Sequence, residues 1–522
     1  MSLTFVSPAE QTFWQQSAVS VIGGIQRGLE KESLRITADG LVAQTPHPKA
    51  LGSSLTNKYI TTDYSEALLE FITPPCIGLH EPLQWLDKIH RYTYQHLDNE
   101  ILWCASMPCM MGEEKDIPIA QYGSSNSGKM KMVYREGLGK RYGRFMQTIA
   151  GIHYNFSISD ATWQALYDLS DKTSSFTDFK SQRYMGMIRN YNRNSWIIPF
   201  FFGASPAVCE SFLKHRPSRL DCLVAGTRYG KYATSLRMSD LGYQNNVQSQ
   251  LKVSINSLDE YIDDLEYAIK TEDPYYLSMG VKIDDQYTQL NANLLQIENE
   301  FYSNIRPKRT SSSGERPTKA LRQGGVEYLE VRALDLNLYD PIGISQYQLN
   351  FIDVFLLHCL MHDSPLITER ELAENKKNFS RVVKGGRDPE VYLWHENKQV
   401  ALVDRLKQLF AEFELSANIL DQAYQTDEFS SALECLNPLI TNPELSLSGQ
   451  IVMTIEKRND GFFQYAYALS KRYGKELRSN PLDEQDYQTF ADEARDSIDK
   501  QQQLEASEEI SFEQFLANYF AD

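Results

Sequence analysis

The 522-residue chain is short of positive charge and has no long apolar run. Its net charge of −17 argues against a general nucleic-acid binder and against docking on an anionic membrane surface. An anionic substrate would need cations gathered locally. The longest apolar stretch, Trp196 to Cys209, is too short to cross a bilayer and contains Pro199 and Pro206. The first basic residue is Arg27, so the charged start of a secretory signal is missing. The seven cysteines are scattered, with only Cys104 and Cys109 near each other. No CxxC or zinc spacing occurs, and reduced thiols in a cytoplasmic protein are the expectation. There is no Walker pattern, no Ser–His–Asp or Cys–His signature, no repeat and no low-complexity tract.

Apolar residues make up 42% of the chain and tyrosines number 30, enough for a large core. The length suits one large domain plus a second unit, or two to three domains. The most informative stretch is Val326 to Asp335, VEYLEVRALD. Its near period-two pattern predicts a strand with Tyr328, Glu330, Arg332 and Leu334 on one face. Glu330 and Arg332 would then sit about 7 Å apart. They suit a site handling a metal and an anion, although a salt-bridged pair on a solvated face would read the same way.

Other carboxylates recur on predicted strands. Gly24 to Ile36 reads as a strand that places Glu30 and Glu32 on the face of Gly28. A solvent-facing edge is the alternative. Tyr59 to Pro75 reads as a loop carrying Asp63, then a strand from Ala67 to Thr73 with Glu70 between Leu69 and Phe71. A carboxylate inside an apolar strand is costly unless paired or bound to metal. Gly151 to Ser159 alternates cleanly and puts His153, Asn155 and Ser157 opposite Ile152, Tyr154, Phe156 and Ile158. His153 fits either a ligand or a core cap.

The remaining segments are less specific. Leu79 to Leu97 has helical spacing, with His90 and His96 as packing or surface residues. Gln121 to Arg135 is a Gly/Ser stretch with Lys129, Lys131 and Arg135 that could cradle phosphate. Arg237 falls at a turn-like join, and Ser257 to Glu260 fits a capping box. Leu294 to Arg309 ends in Arg306, Lys308 and Arg309, followed by a Ser/Gly loop to Pro317. Beyond about residue 345, helical stripes run over 351–362, 399–415 and 446–478. The expected organisation is therefore an α+β unit over 1–344 and a mostly helical region over 345–522. Glu30, Glu32, Asp63, Glu70, His153 and Glu330 together offer the oxygen-rich donor set that Mg²⁺ takes, and a single histidine does not make such a site zinc-like.

The segments GIQRGLEKESLRI, KYITTDYSEALLEFITPP, IAQYGSSNSGK, GIHYNFSI, FGASPAVC, YATSLRMSDLGY, LQIENEFYSNIRPKR and GGVEYLEVRALDLN follow one another in order. Together they resemble the bacterial glutamate–cysteine ligases, from about Gly23 to about Ile344. The resemblance implies an α+β fold with a curved antiparallel sheet forming a funnel, like that of glutamine synthetase. It also implies ATP-dependent joining of the L-glutamate side-chain carboxylate to the amine of L-cysteine, with Mg²⁺ (or Mn²⁺), as the first step of glutathione synthesis. Glutathione would be a feedback inhibitor. On matching positions, Glu30, Glu32, Asp63, Glu70, His153 and Glu330 become metal ligands. Arg332 and Arg237 become binders of substrate carboxylate and transferred phosphoryl, with Glu330 beside them in the chemistry. Tyr64, Tyr134, Ile149, Tyr243 and Tyr302 are carried over as the cysteine pocket and its surroundings. Arg135, Ile297, Arg306, Lys308 and Arg309 would border the nucleotide. The expected chemistry is phosphorylation of the carboxylate by ATP to an acyl phosphate, then attack by the amine.

Overall fold

The computed structural model describes residues 4–108, 110–214, 218–242, 251–311 and 314–521. Seven antiparallel strands form its main sheet: β1 (Gln26–Ile36), β2 (Ile60–Thr62), β3 (Leu68–Ile72), β4 (Ile101–Leu102), β5 (Ile152–Ser157), β6 (Ile305–Lys308) and β7 (Tyr328–Leu334). Their order is β6-β7-β5-β1-β3-β2, with β4 paired to the end of β1. The architecture is α+β, a mixed arrangement of helices on an open antiparallel sheet.

Alternation decides what each face carries. Ile152, Tyr154 and Phe156 of β5 are fully buried on the back face, beside Leu29 of β1 and Leu329 and Val331 of β7. A helix, α4 (Gln346–Met361), covers that back and is apolar nearly all round. It packs on α3 (Phe176–Asn194), α5 (Leu402–Tyr424) and α6 (Glu428–Thr441). Arg27 reaches from the back of β1 to Asp353 of α4 at 2.6 Å, and Tyr154 of β5 also donates to Asp353. The sequence boundary near residue 345 falls at Ser345, the cap of α4. Two more helices, α7 (Glu484–Ala506) and α8 (Phe512–Ala521), lie across the other side. There α7 meets residues 49–58, and α8 meets α2 (Asn126–Tyr142).

Several local expectations changed on folding. The Gly/Ser stretch at 121–135 is a loop only as far as Ser125, whose hydroxyl caps Gly128 N–H and starts α2. The stripe over 446–478 is two helices, Leu447–Arg458 and Gly461–Ser479, separated where Asn459 takes a left-handed φ of 55°. A hairpin, Tyr392–His395 with Lys398–Ala401, interrupts the helical part. Its turn, Glu396-Asn397, has positive φ at both residues and carries no glycine signal. Leu79 to Leu97 forms α1 (Glu81–Gln95), with His90 buried between Phe71 and Lys31. No helix among the described residues is long and apolar enough to cross a membrane.

Candidate active site

The front face of the sheet lines a cleft of about 690 Å³, a volume in the range of small-molecule sites. Strand register builds it. Glu30 of β1 stands directly opposite His153 of β5, and Glu32 stands directly opposite Glu70 of β3. On the other flank Glu330 of β7 is opposite both Asn155 of β5 and Arg306 of β6. Cross-strand partners have Cβ atoms roughly 4.5–5.5 Å apart, so carboxylates from three strands, β1, β3 and β7, meet on one surface. Asp63 joins them from the turn between β2 and β3.

The contacts are specific. Glu30 accepts from His153 Nδ1 at 3.1 Å and from Asn155 Nδ2 at 2.8 Å. With Nδ1 donating to an ionised carboxylate, Nε2 keeps its lone pair for a cation. Glu330 is flanked by positive charge, Arg332 Nη1 at 3.0 Å and Lys308 Nζ at 3.6 Å, and by the His153 imidazole, whose Nδ1 lies at 3.7 Å. Glu32 accepts from the Gly151 backbone N–H at 2.5 Å. A Cβ at Gly151 would collide with the guanidinium of Arg237, which could not keep its present position beside a larger residue. Arg237 itself donates to the Arg332 carbonyl at 3.1 Å and lies 3.8 Å from Asp335.

Protonation follows burial and neighbours. Burial and the charge of Asp63 push the Glu32 carboxyl up to about 8. Burial, with Asp63, Glu30 and Glu32 nearby, drives Glu70 well above the carboxylate range. Burial would also raise Glu30 and Glu330, but their partners outweigh it. The His153 hydrogen bond lowers Glu30, and Arg332 with Lys308 holds Glu330 well below the usual range. Burial and Arg332 keep His153 neutral at physiological pH. Two carboxyls are therefore pushed toward protonation by burial and by neighbouring carboxylates. A divalent cation relieves that repulsion, and the donors are the hard oxygens it prefers. Ligand atoms of Glu30, Glu70 and His153 lie within 4.8 Å of one another. The residues fit such an ion.

Most of the residues singled out in the sequence line this cleft: Tyr64, Tyr134, Arg135, Ile297, Tyr302, Arg306, Lys308 and Arg332, along with Arg237 and all six carboxylate and histidine positions. Arg135 stacks on Tyr122 at 4.6 Å and donates to the Asp63 carbonyl. Two residues are placed elsewhere. Arg309 does not line the cleft; its guanidinium donates to the carbonyls of Gly324 and Gly325 at 2.6 and 3.2 Å, bracing the turn before β7. Ile149 is fully buried and is not among the lining residues. Tyr243 lies outside the described residues.

Other contributors were not singled out. Asp335 accepts from Ala204 N–H and from the hydroxyls of Ser205 and Ser235 at 2.6–2.9 Å, and so stands as a fixed anion behind Arg237. The only signal for it was its place at the end of the β7 pattern. Lys131 lines the cleft on α2, and burial with the charge of Arg135 brings its amine down to about 8. Leu504, Phe515 and Tyr519 reach the cleft from α7 and α8, which lie beyond the segments singled out in the sequence.

Comparison with known proteins agrees with this arrangement. The glutamate-cysteine ligase family model matches residues 11–382. The glutamate–cysteine ligase of Alcanivorax borkumensis is 49% identical over 97% of each chain. That of Pseudomonas putida is 46% identical over 95% of this chain and 94% of its own. The crystal structure of a glutamate–cysteine ligase from Francisella tularensis in complex with AMP superposes with a TM-score of 0.90, at 35% identity over 95% of this chain and 98% of its own. A match that spans the helices as well as the sheet, with identity this high along nearly the whole length, places the chain in the glutamate–cysteine ligase family.

Proposed function

We propose that the cleft joins the γ-carboxylate of L-glutamate to the amine of L-cysteine through a γ-glutamyl phosphate, using ATP and Mg²⁺. The family's reaction is γ-glutamylcysteine formation, and the chain is a carbon–nitrogen ligase of this kind. The observation that carries the finer reading is the front face itself, where an excess of buried carboxylates adjoins the cations Arg237, Arg306, Lys308 and Arg332. AMP bound to the Francisella protein supports a nucleotide co-substrate.

In this reading Glu30, Glu32, Asp63, Glu70, His153 and Glu330 hold the magnesium, with Mn²⁺ as a substitute. The ion supplies neutralisation of phosphate charge when bound. Arg332, fixed by Glu330, presents its planar fork to the transferred phosphoryl group. Arg237, backed by Asp335, binds a substrate carboxylate. Tyr64, Tyr134 and Tyr302 enclose the acceptor. A carboxylate is a poor electrophile, and transfer of the ATP γ-phosphoryl to its oxygen, with ADP leaving, creates a phosphate leaving group. The amine then attacks the carbonyl carbon and phosphate departs. Fixed charges aimed at the shifting negative charge, together with orientation of two small amino acids, account for the rate without a protein nucleophile. Glutathione, which carries the same γ-glutamylcysteinyl unit as the product, is the expected feedback inhibitor.

The test is ADP release with glutamate, with and without cysteine, alongside detection of γ-glutamylcysteine. ADP and dipeptide should form only when glutamate, cysteine, ATP and Mg²⁺ are all present. Equal ADP release without the amine would instead mark a phosphatase-like activity.

A further inference from the structure

The turn that carries Asp63 is held by a residue that is not among those lining the cleft. Thr62 ends β2, and the Asp63 N–H donates to the Leu68 carbonyl at 2.9 Å, where β3 begins. The carbonyls of this turn take donors from another segment. The Tyr122 hydroxyl donates to the Thr62 carbonyl at 2.7 Å, with the Asp63 carbonyl at 3.0 Å. The Thr62 hydroxyl donates back to the same phenol oxygen at 3.1 Å. Tyr122 is only 1% exposed, so these are bonds made away from water.

Its ring meets the cations of the cleft. The Arg135 guanidinium lies 4.6 Å over the ring and the Lys131 ammonium 5.1 Å. Gly128, Lys131 and Arg135 are spaced i, i+3, i+7 on α2 and share one face. A Cβ at Gly128 would come within 2.3 Å of the Tyr122 carbonyl oxygen, so the first turn of α2 starts directly against Tyr122. Arg135 Nε then donates to the Asp63 carbonyl, the one that Tyr122 also approaches. The backbone around Tyr122 is itself fixed. Ala120 N–H donates to the Tyr64 carbonyl at 3.1 Å and Gln121 N–H to Glu66 Oε2 at 2.8 Å. The Gln121 carbonyl accepts from the Ser54 hydroxyl at 2.8 Å.

A buried tyrosine ordinarily finds some partner for its hydroxyl. Here the partners are the backbone of a cleft carboxylate, and the cation stacked on the ring bonds to that same backbone. An anion and a cation of the cleft thus share one support. We infer that Tyr122 is a positioning residue: its hydroxyl fixes the turn that holds Asp63 toward the cation site, and its ring seats Arg135 beside it. The inference rests on the metal-dependent reading above, and binding of Mn²⁺ to the unaltered chain tests that reading separately.

The experiment is Mn²⁺ binding to the full chain without nucleotide, read from the paramagnetic resonance of free Mn²⁺, with melting temperature and KM for ATP measured alongside. Tyr122→Phe keeps the ring and removes the hydroxyl. Mn²⁺ should bind about tenfold more weakly, as when a support of a ligand is lost, and KM for ATP should stay within about twofold because Arg135 keeps its seat. Tyr122→Leu removes the ring as well, and KM for ATP should then rise about fivefold. Tyr167→Phe is the control. Its hydroxyl donates to the Ser174 carbonyl at 2.9 Å and it does not line the cleft, so its loss should leave Mn²⁺ affinity unchanged. Unchanged Mn²⁺ affinity in folded Tyr122→Phe overturns the inference, and so does an equal weakening in Tyr167→Phe. An unaltered chain that binds no Mn²⁺ overturns the metal reading and this inference with it. If Tyr122→Leu fails to fold, the isosteric Tyr122→Phe decides.

Discussion

The two faces of one sheet bury charge in opposite ways. On the back, Arg27 meets Asp353 at 2.6 Å and also donates to the Ile25 carbonyl and Tyr424 hydroxyl, each at 3.1 Å. One cation faces one anion, and Tyr154 completes the set. On the front, Glu30, Glu32, Asp63, Glu70 and Glu330 crowd together, and burial with mutual repulsion pushes Glu32 and Glu70 toward protonation. The same strands carry both arrangements, since Arg27 and Glu30 both belong to β1. A closed, paired network serves the fold. An open, repulsive one is tolerated because something else supplies the missing positive charge. Breaking a pair on the back should therefore cost stability, and neutralising a carboxylate on the front should cost activity.

The largest expected effect is on the back. Asp353→Ala strands the Arg27 guanidinium in a dry interior, and losing one partner of a buried pair costs about 3–5 kcal/mol. Chemical denaturation should show that loss, and turnover per folded molecule should survive. If stability held and turnover fell, the division between the faces would be wrong.

Next comes Glu330→Gln on the front. Removing one preorganised charge from the reacting groups costs on the order of 10²–10³ in kcat. The Mg²⁺ requirement should rise, with little change in melting temperature. A large drop in melting temperature with normal turnover would make Glu330 a second Arg27–Asp353 network rather than part of the chemistry.

Arg332→Lys sharpens the contrast more finely. The charge beside Glu330 is kept, but the two-pronged donor is lost. Turnover should fall by roughly tenfold or more, a single good contact being worth about 1.4 kcal/mol. Unaltered kcat/KM would show that a point charge suffices there.

The smallest effect is a pH slope. The folded-state pKa of Glu32 lies near 8, above its ordinary value of 4.5. A raised carboxyl favours the fold when protonated, so its contribution is fully present below about 4.5 and is lost as pH rises toward about 8. Metal-free protein should melt progressively lower across that window. Glu32→Gln, or added Mg²⁺, should flatten the decline. The same slope in Glu32→Gln without metal would place its origin elsewhere.

The sequence by itself determined the strands of the site and the faces on which their charges lie. Period-two alternation around Glu330 and Arg332, and around His153, is a local property of the chain, and it survives folding because one face must be buried. The eight ordered segments also carried the family. The sequence did not reveal register. That Glu32 faces Glu70 and Glu30 faces His153 depends on pairing across segments that lie 38 to 123 positions apart. Arg309 shows the limit: it belongs to the same basic run as Arg306 and Lys308, yet the turn before β7 leaves two carbonyls that its guanidinium satisfies. The start of α2 at Ser125 was hidden because glycine and serine suit both a loop and a helix cap. Asp335 and the α8 rings that line the cleft were decided by tertiary structure alone. A fixed anion behind Arg237 and a ring over the cleft gain their meaning only from what the rest of the chain packs against them.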